Sequence, residues 1–333
     1  MALLFMDGFD HYNTSQAGLK WSTATDITIG TSYKRNGTQG VQITQNDILI
    51  KSFSSTAGPL VFGFAHRPES GSGNFILCRI RESTVVHAQL NFDYSTSQYR
   101  FYFGDAIFQW GVSSSTYSLG SWNFIEIKMN VHDSTGNIQI KINGVTQIST
   151  TNSDTRNGGS GVMDNIQFLC SSAEYWLDDF YILDTTGTYN NDFLGDVKVV
   201  PLYPNGIGTY SEWTPLSGDN YTNVDETTPD GDTSYVYTSD AGSRDTYDFE
   251  DLVLESGSIF ALQINAYARK DDAGSRSVRP LIYRDATLEL GNSASLSDSY
   301  TISQFIFETD PVDDVLWTET TINDSEFGLE LES

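Results

Sequence analysis

The chain has 333 residues, 19% of them charged and 13% aromatic, and a formal net charge of −26. That length corresponds to about two domains of ~100–200 residues, each able to bury a core without disulfide staples. The acidic balance excludes the basic footprint of a nucleic-acid binder and opposes an anionic bilayer; its ordinary role is solubility.

The opening run, MALLFMDGFD, has no basic region and its apolar stretch stops at Asp7, so no signal peptide is expected. No stretch approaches the ~20 apolar residues of a membrane span. Strand-like runs then follow at the close spacing of a sandwich: ALLFMDGF, GVQIT, DILIKSF, LVFGFAHR, NFILCRIR, VVHAQLNFD, YRFYFG, WNFIEIKMNV, NIQIKING, VMDNIQFLC and YWLDDFYILD. Alternation places Tyr99, Phe101 and Phe103 on one face of their strand, with Arg100 and Tyr102 on the other. Likewise Ile125, Ile127 and Met129 oppose Phe124 and Glu126. HDSTGN between Val131 and Ile138, and NGV at 143–145, supply hairpin turn chemistry. Cys78 and Cys170 sit inside apolar runs, which predicts buried free thiols; a single disulfide between them stays open.

The polar, strand-poor segment DTTGTYNNDFLGD (184–196) marks a boundary. The predicted organisation is a first domain at 1–187, a linker at 188–198 and a second domain at 199–333. Residues 1–195 carry 11 basic and 17 acidic side chains (−6), leaving −20 for the remainder. The second domain offers VKVVPLY, SIFALQINAYARK, SVRPLIY, TISQFIFETD and FGLELE as strands, and TETTINDSE (318–326) as a short helical turn before the last of them.

Chemistry is sparse. Retaining glycosidases need two carboxyls ~5–5.5 Å apart, and the nearest pattern, Glu308-Thr-Asp310-Pro-Val-Asp313, contains a strand-breaking proline; it reads as a solvated acidic turn. Gly-Gly-Ser-Gly at 158–161 lacks the last glycine of a nucleophile elbow. His11, His66, His87 and His132 lack metal-ligand spacing and read as surface or half-buried residues. With no catalytic constellation, no enzyme is expected. Sugars stack on aromatic faces, and from the aromatic cluster at 94–117 Tyr102, Trp110 and Tyr117 are candidates for a glycan-facing or subunit-facing patch; most of that cluster is expected in the core.

Residues 119–145, LGSWNFIEIKMNVHDSTGNIQIKINGV, together with the closing YWLDDFYILD, resemble the laminin-G/concanavalin-like pattern. The resemblance implies an all-β chain: an N-terminal concanavalin/laminin-G-like jelly-roll sandwich followed by a second, smaller β-sandwich domain. It also implies that the first and last jelly-roll strands lie side by side, which would bring Asp7 and Asp10 towards Asp178 and Asp179. These four are candidate ligands for a structural calcium; the alternative is a hydrogen-bond network with some carboxylates turned to solvent.

The string FMDGFDHY, WLDDFYILDTTG, NNDFLGDV, LYPNG, WTP, VDE, NAYARKDDAGSR and WTET…INDSEFG resembles a group of tailed-bacteriophage structural proteins. That resemblance implies a virion location, in tail fibre, baseplate or capsid surface, with other virion proteins as partners. A symmetric homo-oligomer is expected, a trimer favoured, with host surface glycan as a further partner and neither nucleic acid nor membrane. A capsid decoration or head-fibre protein with a purely stabilising role is the alternative.

Overall fold

In a computed structural model, described over residues 2–254 and 256–333, the protein is almost wholly β-structure. It forms two compact units, Met1–Val200 and Pro201–Ser333.

The first unit is a sandwich of two antiparallel sheets. Sheet one runs Val145–Ser153, Gly136–Ile142, Asn123–Asn130, Leu60–Ser70, Glu174–Asp184, Gly40–Ile43, Thr28–Gly30, and Leu3–Asp7 also pairs with Glu174–Asp184. Sheet two runs Phe108–Val112, Gln98–Phe103, Val85–Asp93, Asn74–Glu82, Met163–Leu169, Ile48–Thr56, Thr23–Thr25. First and last strands are therefore neighbours, as expected, with Phe5 opposite Ile182 and Asp7 opposite Phe180. The inward faces follow from the two-residue period: Tyr99, Phe101 and Phe103 are 0, 0 and 6% exposed. Rings meet across the sheets, Phe64 edge-to-face on Phe168 at 5.0 Å and Trp21 stacked on Phe9 at 5.6 Å. Such pairs add to the apolar burial that holds the sandwich together. Cys78 and Cys170 are both buried and unbridged.

Glu174–Asp184 bulges between Asp178 and Tyr181, and Asp179 adopts φ +53°. On its other edge Gly40–Ile43 pairs along 175–177 and Leu3–Asp7 along 180–183. Asp178 and Asp179 thus fall where one neighbouring strand gives way to another, and the bulge re-aims their side chains.

The segment expected as a linker, 188–198, is bonded to the first unit. Gly195 N–H donates to Glu126 Oε1 (2.9 Å), Leu194 N–H to the Tyr181 hydroxyl (3.3 Å), and Arg35 to Asp196 and the Val197 carbonyl. Its polar composition reads as a loop, but the acceptors that fix it lie on strands far away in sequence.

The second unit is the smaller sandwich. One sheet runs Pro204–Ser211, Arg244–Phe249, Glu326–Leu331, Ser277–Arg284, Thr287–Leu290, with Ala294–Ser295 also on Ser277–Arg284. The hairpin-like pair Leu262–Ala268 and Thr301–Phe307 lays Leu262, Ile264 and Phe307 on a core of Leu252, Ile282, Trp317, Ile322 and Phe327. The expected helical turn is Glu319–Asn323, capped by Thr318.

Two polar expectations change. Asp310 is 0% exposed and pairs with the buried Arg284 guanidinium, which the exposed Asp313 also reaches, so the Glu308–Asp313 turn is anchored by a buried ion pair and only partly solvated. His66 and His87 are both 0% exposed, not surface residues: His66 Nδ1 meets the Tyr99 hydroxyl at 2.7 Å. His87 Nδ1 accepts from Asn157 N–H, which leaves Nε2 to donate to the Val162 carbonyl.

Candidate functional site

The aromatic trio does not assemble. Tyr102 stands half-buried on the outward face of sheet two, its hydroxyl accepting from Asn74 Nδ2 at 2.9 Å. Trp110 follows a register shift between Gln109 and Gly111, which turns it to the inner side. There its ring packs edge-to-face on Phe103 at 5.7 Å and lines the space between the sheets with Cys78, Phe101 and Ile127. Tyr117 packs edge-to-face on Tyr99 at 5.0 Å. Tyr102 faces outward as alternation predicts, Trp110 is turned inward by the bulge, and Tyr117, outside the strands, leans on the inward Tyr99.

The four carboxylates are likewise not one metal centre. Asp7 is fully buried and accepts from Phe9 N–H (2.9 Å), the Tyr12 hydroxyl (2.5 Å), Trp21 Nε1 (2.7 Å) and Lys20 Nζ (3.0 Å). Burial works against its charge, and Lys20 with the neighbouring donors overcomes this, holding the carboxyl below its usual pKa. Asp10 Oδ1 accepts from Thr38 N–H, Thr38 Oγ1 and Gln39 N–H. Burial raises its pKa to about 6.

Asp178 accepts from the Arg35 and Asp179 N–H groups at 2.7 and 2.8 Å. Asp179 accepts from Arg35 Nη1 (2.8 Å), Asn36 Nδ2 (3.0 Å) and Val199 N–H (2.8 Å). Burial, then the adjacent Asp179, pushes Asp178 well above the carboxylate range. Lys20, Arg35 and backbone N–H groups supply the compensation a cation would have given, and among the described residues no group of three or more His, Cys, Asp or Glu is placed to hold a metal.

A different constellation occupies the outward face of sheet two. Strand register sets Arg81 opposite Asn165, Arg79 opposite both Gln167 and Gln89, Asn91 opposite Arg100, and Gln89 opposite Tyr102. These side chains bond laterally. Arg79 Nε donates to Gln89 Oε1 (3.0 Å) and Gln89 Nε2 to Asn91 Oδ1 (2.8 Å). Arg81 donates from Nε to Asn165 Oδ1 (2.9 Å) and from Nη1 to Gln167 Oε1 (2.6 Å). Arg100 is clamped on Asp93 through Nε at 2.8 Å and Nη2 at 2.7 Å, and Arg79 also pairs with Asp105.

The amides form the floor: Gln89, Asn91, Asn165 and Gln167 are only 4 to 6% exposed. The guanidinia and Tyr102 form the half-exposed layer above. Every partner comes from a strand of this sheet or a turn beside it, so the face is a preorganised array of planar donors and acceptors. It can hydrogen-bond a hydroxyl-rich ligand edge-on and offer Tyr102 as an apolar plane. A sequence signal for it existed in VVHAQLNFD, where His87, Gln89, Asn91 and Asp93 alternate with Val86, Ala88, Leu90 and Phe92. An uninterrupted polar face on a central strand is the mark that the search for aromatics and carboxylate pairs passed over.

No protein-family model matches the chain, and no curated protein is similar to it in sequence. Solved structures with a similar fold include an endo-β-1,4-glucuronan lyase from the fungus Trichoderma reesei, at 10% identity and TM-score 0.42, covering 55% of this chain and 95% of that one. Alginate lyase Aly36B is similar at 16% identity and TM-score 0.37, over 52% and 91% of the two chains. The carbohydrate-binding module CBM66 from Bacillus subtilis is similar at 10% identity and TM-score 0.35, over 49% and 94%. At such identities the likeness is one of fold alone. The expectation that the chain is not an enzyme is corrected by the lyases among these structures.

Proposed function

We propose that the chain is a bacteriophage virion protein, of tail fibre, baseplate or capsid surface, whose first unit holds host glycan on the outward face of sheet two. The observation that carries the glycan part is the layered array of Arg79, Arg81, Gln89, Asn91, Arg100, Asn165 and Gln167 with Tyr102 at its edge. Saccharides present closely spaced hydroxyls and flat apolar ring faces. Fixed amides and guanidinia satisfy the first, and a tyrosine ring satisfies the second. Because the array is already bonded into place, little ordering entropy is spent on binding.

The virion part is supported by the motif string from FMDGFDHY to INDSEFG. In this reading the chain assembles with other virion proteins as a homo-oligomer, with a trimer as the expected symmetry.

Two measurements test the proposal. A glycan array probed with the intact chain should give saccharide signals that fall roughly tenfold in Tyr102→Ala; undiminished signals would remove the face from binding. Cryo-electron microscopy of the virion should place the chain at the tail or on the capsid. Copies spread over the capsid lattice with no array signal would favour the purely stabilising decoration role, and no density would end the virion reading.

A further inference from the structure

Within this polar face one cation is treated differently from the rest. Every other arginine of the chain, Arg35, Arg67, Arg79, Arg100, Arg156, Arg244, Arg269, Arg276, Arg279 and Arg284, has a carboxylate at salt-bridge distance. Arg81 has none among the described residues, and its two partners, Asn165 Oδ1 and Gln167 Oε1, are neutral. The nearest acids are already engaged. Asp164 accepts from Ser83 N–H and Asn165 Nδ2. Glu82 is wrapped by the N–H groups of Ser160 and Gly161 and by Ser160 Oγ.

In a chain with 44 acidic and 18 basic side chains, a carboxylate partner is the easy solution. A guanidinium with no carboxylate at salt-bridge distance, held rigidly between two amides, is therefore informative. Burial, then the charge of Arg79 two residues away on the same face, disfavours the charged form of Arg81, and Asp164 offsets this only in part. An anion arriving from outside would relieve that repulsion. Arg81 Nη2 donates to no carboxylate among the described residues, and Nε and Nη1 are fixed by their bonds to Asn165 and Gln167. A planar, singly charged, two-oxygen acceptor matches the positive charge that this face leaves without a carboxylate, and the geometry of the fork.

Resting on the glycan reading above, we propose that Arg81, steadied by Asn165 and Gln167 and flanked by Arg79, is the subsite for the carboxylate of an acidic sugar. The ligand class is thereby narrowed from glycans in general to those with uronate or sialate residues, and the neutral amides of Gln89 and Asn91 would lie beside the hydroxyls of the same chain.

The test is titration calorimetry of the intact chain against oligouronates and sialylated oligosaccharides, each paired with its carboxyl-reduced form. At least one acidic member should bind, carboxyl reduction should weaken it roughly tenfold to a hundredfold, and Arg81→Gln should weaken it to a similar degree. Arg81→Gln should weaken any binding of the reduced forms far less than it weakens the acidic ones, and Arg81→Lys should restore only part of the loss. Thermal unfolding of both variants checks that they are folded; should Arg81→Gln not fold, the carboxyl-reduced ligands still decide the matter. Equal binding of acidic and reduced forms would overturn the carboxylate subsite while leaving the glycan reading in place. Acidic binding indifferent to Arg81→Gln would overturn the residue assignment. Folded protein that binds no saccharide of either kind would overturn both.

Discussion

On one outward face of the first sandwich, Glu126 and Tyr181 lie beneath the chain's own segment 192–197; on the other, Arg79 bonds to Gln89 and Gln89 to Asn91, and Arg81 bonds to Asn165 and Gln167. Both faces are central strands of antiparallel sheets, and both carry polar groups at very low exposure: Glu126 is 1% exposed and Gln89 4%. The covered face meets its needs with a peptide. Tyr181 donates to Glu126 at 2.7 Å, Gly195 N–H donates to the same oxygen, and Phe193 lies under the Lys141 ammonium at 4.1 Å. The second face meets its needs within the sheet and leaves guanidinia at the surface. A covered face answers to stability, and an uncovered, preorganised one is free to answer to a ligand.

The comparison sets the order of expected effects. The largest is Gly63→Ala beneath the covered face, where an added Cβ would stand 2.0 Å from Tyr181 Cε1. Either Tyr181 leaves its place or the strand shifts, at a cost of about 3 kcal/mol in urea unfolding. Next is Glu126→Ala, which strands the Tyr181 hydroxyl and Gly195 N–H without their acceptor and should cost about 2 kcal/mol. Tyr102→Ala on the uncovered face should cost less than ~1 kcal/mol while lowering glycan signals. If it destabilises the fold as much as Glu126→Ala does, the contrast between the faces collapses.

A pH-dependent effect sharpens the contrast further. Asp10, beside the loop that ties down the outgoing segment, has a folded pKa raised from 3.8 to about 6 by burial. A raised carboxyl contributes stability at low pH that is lost as pH rises through the folded value. Asp10→Asn keeps the Oδ1 acceptor for Thr38 and Gln39. The variant should therefore gain on the wild type between pH 4 and 7 and hold a constant difference above that, read as melting temperature across the range. A difference that does not change with pH would show that Asp10 titrates normally in the folded chain.

Much of the architecture was legible as pattern. Alternation fixed which residues of Gln98–Phe103 point inward. The resemblance correctly paired Leu3–Asp7 with Glu174–Asp184, and TETTINDSE yielded the helical turn Glu319–Asn323. The site was less legible. The polar period of Val85–Asp93 was present to be read, but its meaning depended on Asn165 and Gln167, on a strand some eighty residues away, meeting Arg79 and Arg81.

By itself, then, the sequence determined the all-β class, the two-residue faces of each strand and the acidity of the second unit, because these follow from local sterics, side-chain period and composition. Tertiary structure alone decided the rest. A register shift of one residue turned Trp110 from a surface candidate into an inward ring. Lys20 and Arg35 pair with Asp7 and Asp179, two of the carboxylates read as calcium candidates. Segment 192–197 chose which outward face to cover. Each of these depends on partners distant along the chain, and a periodicity records which residues share a face without recording what comes to lie on it.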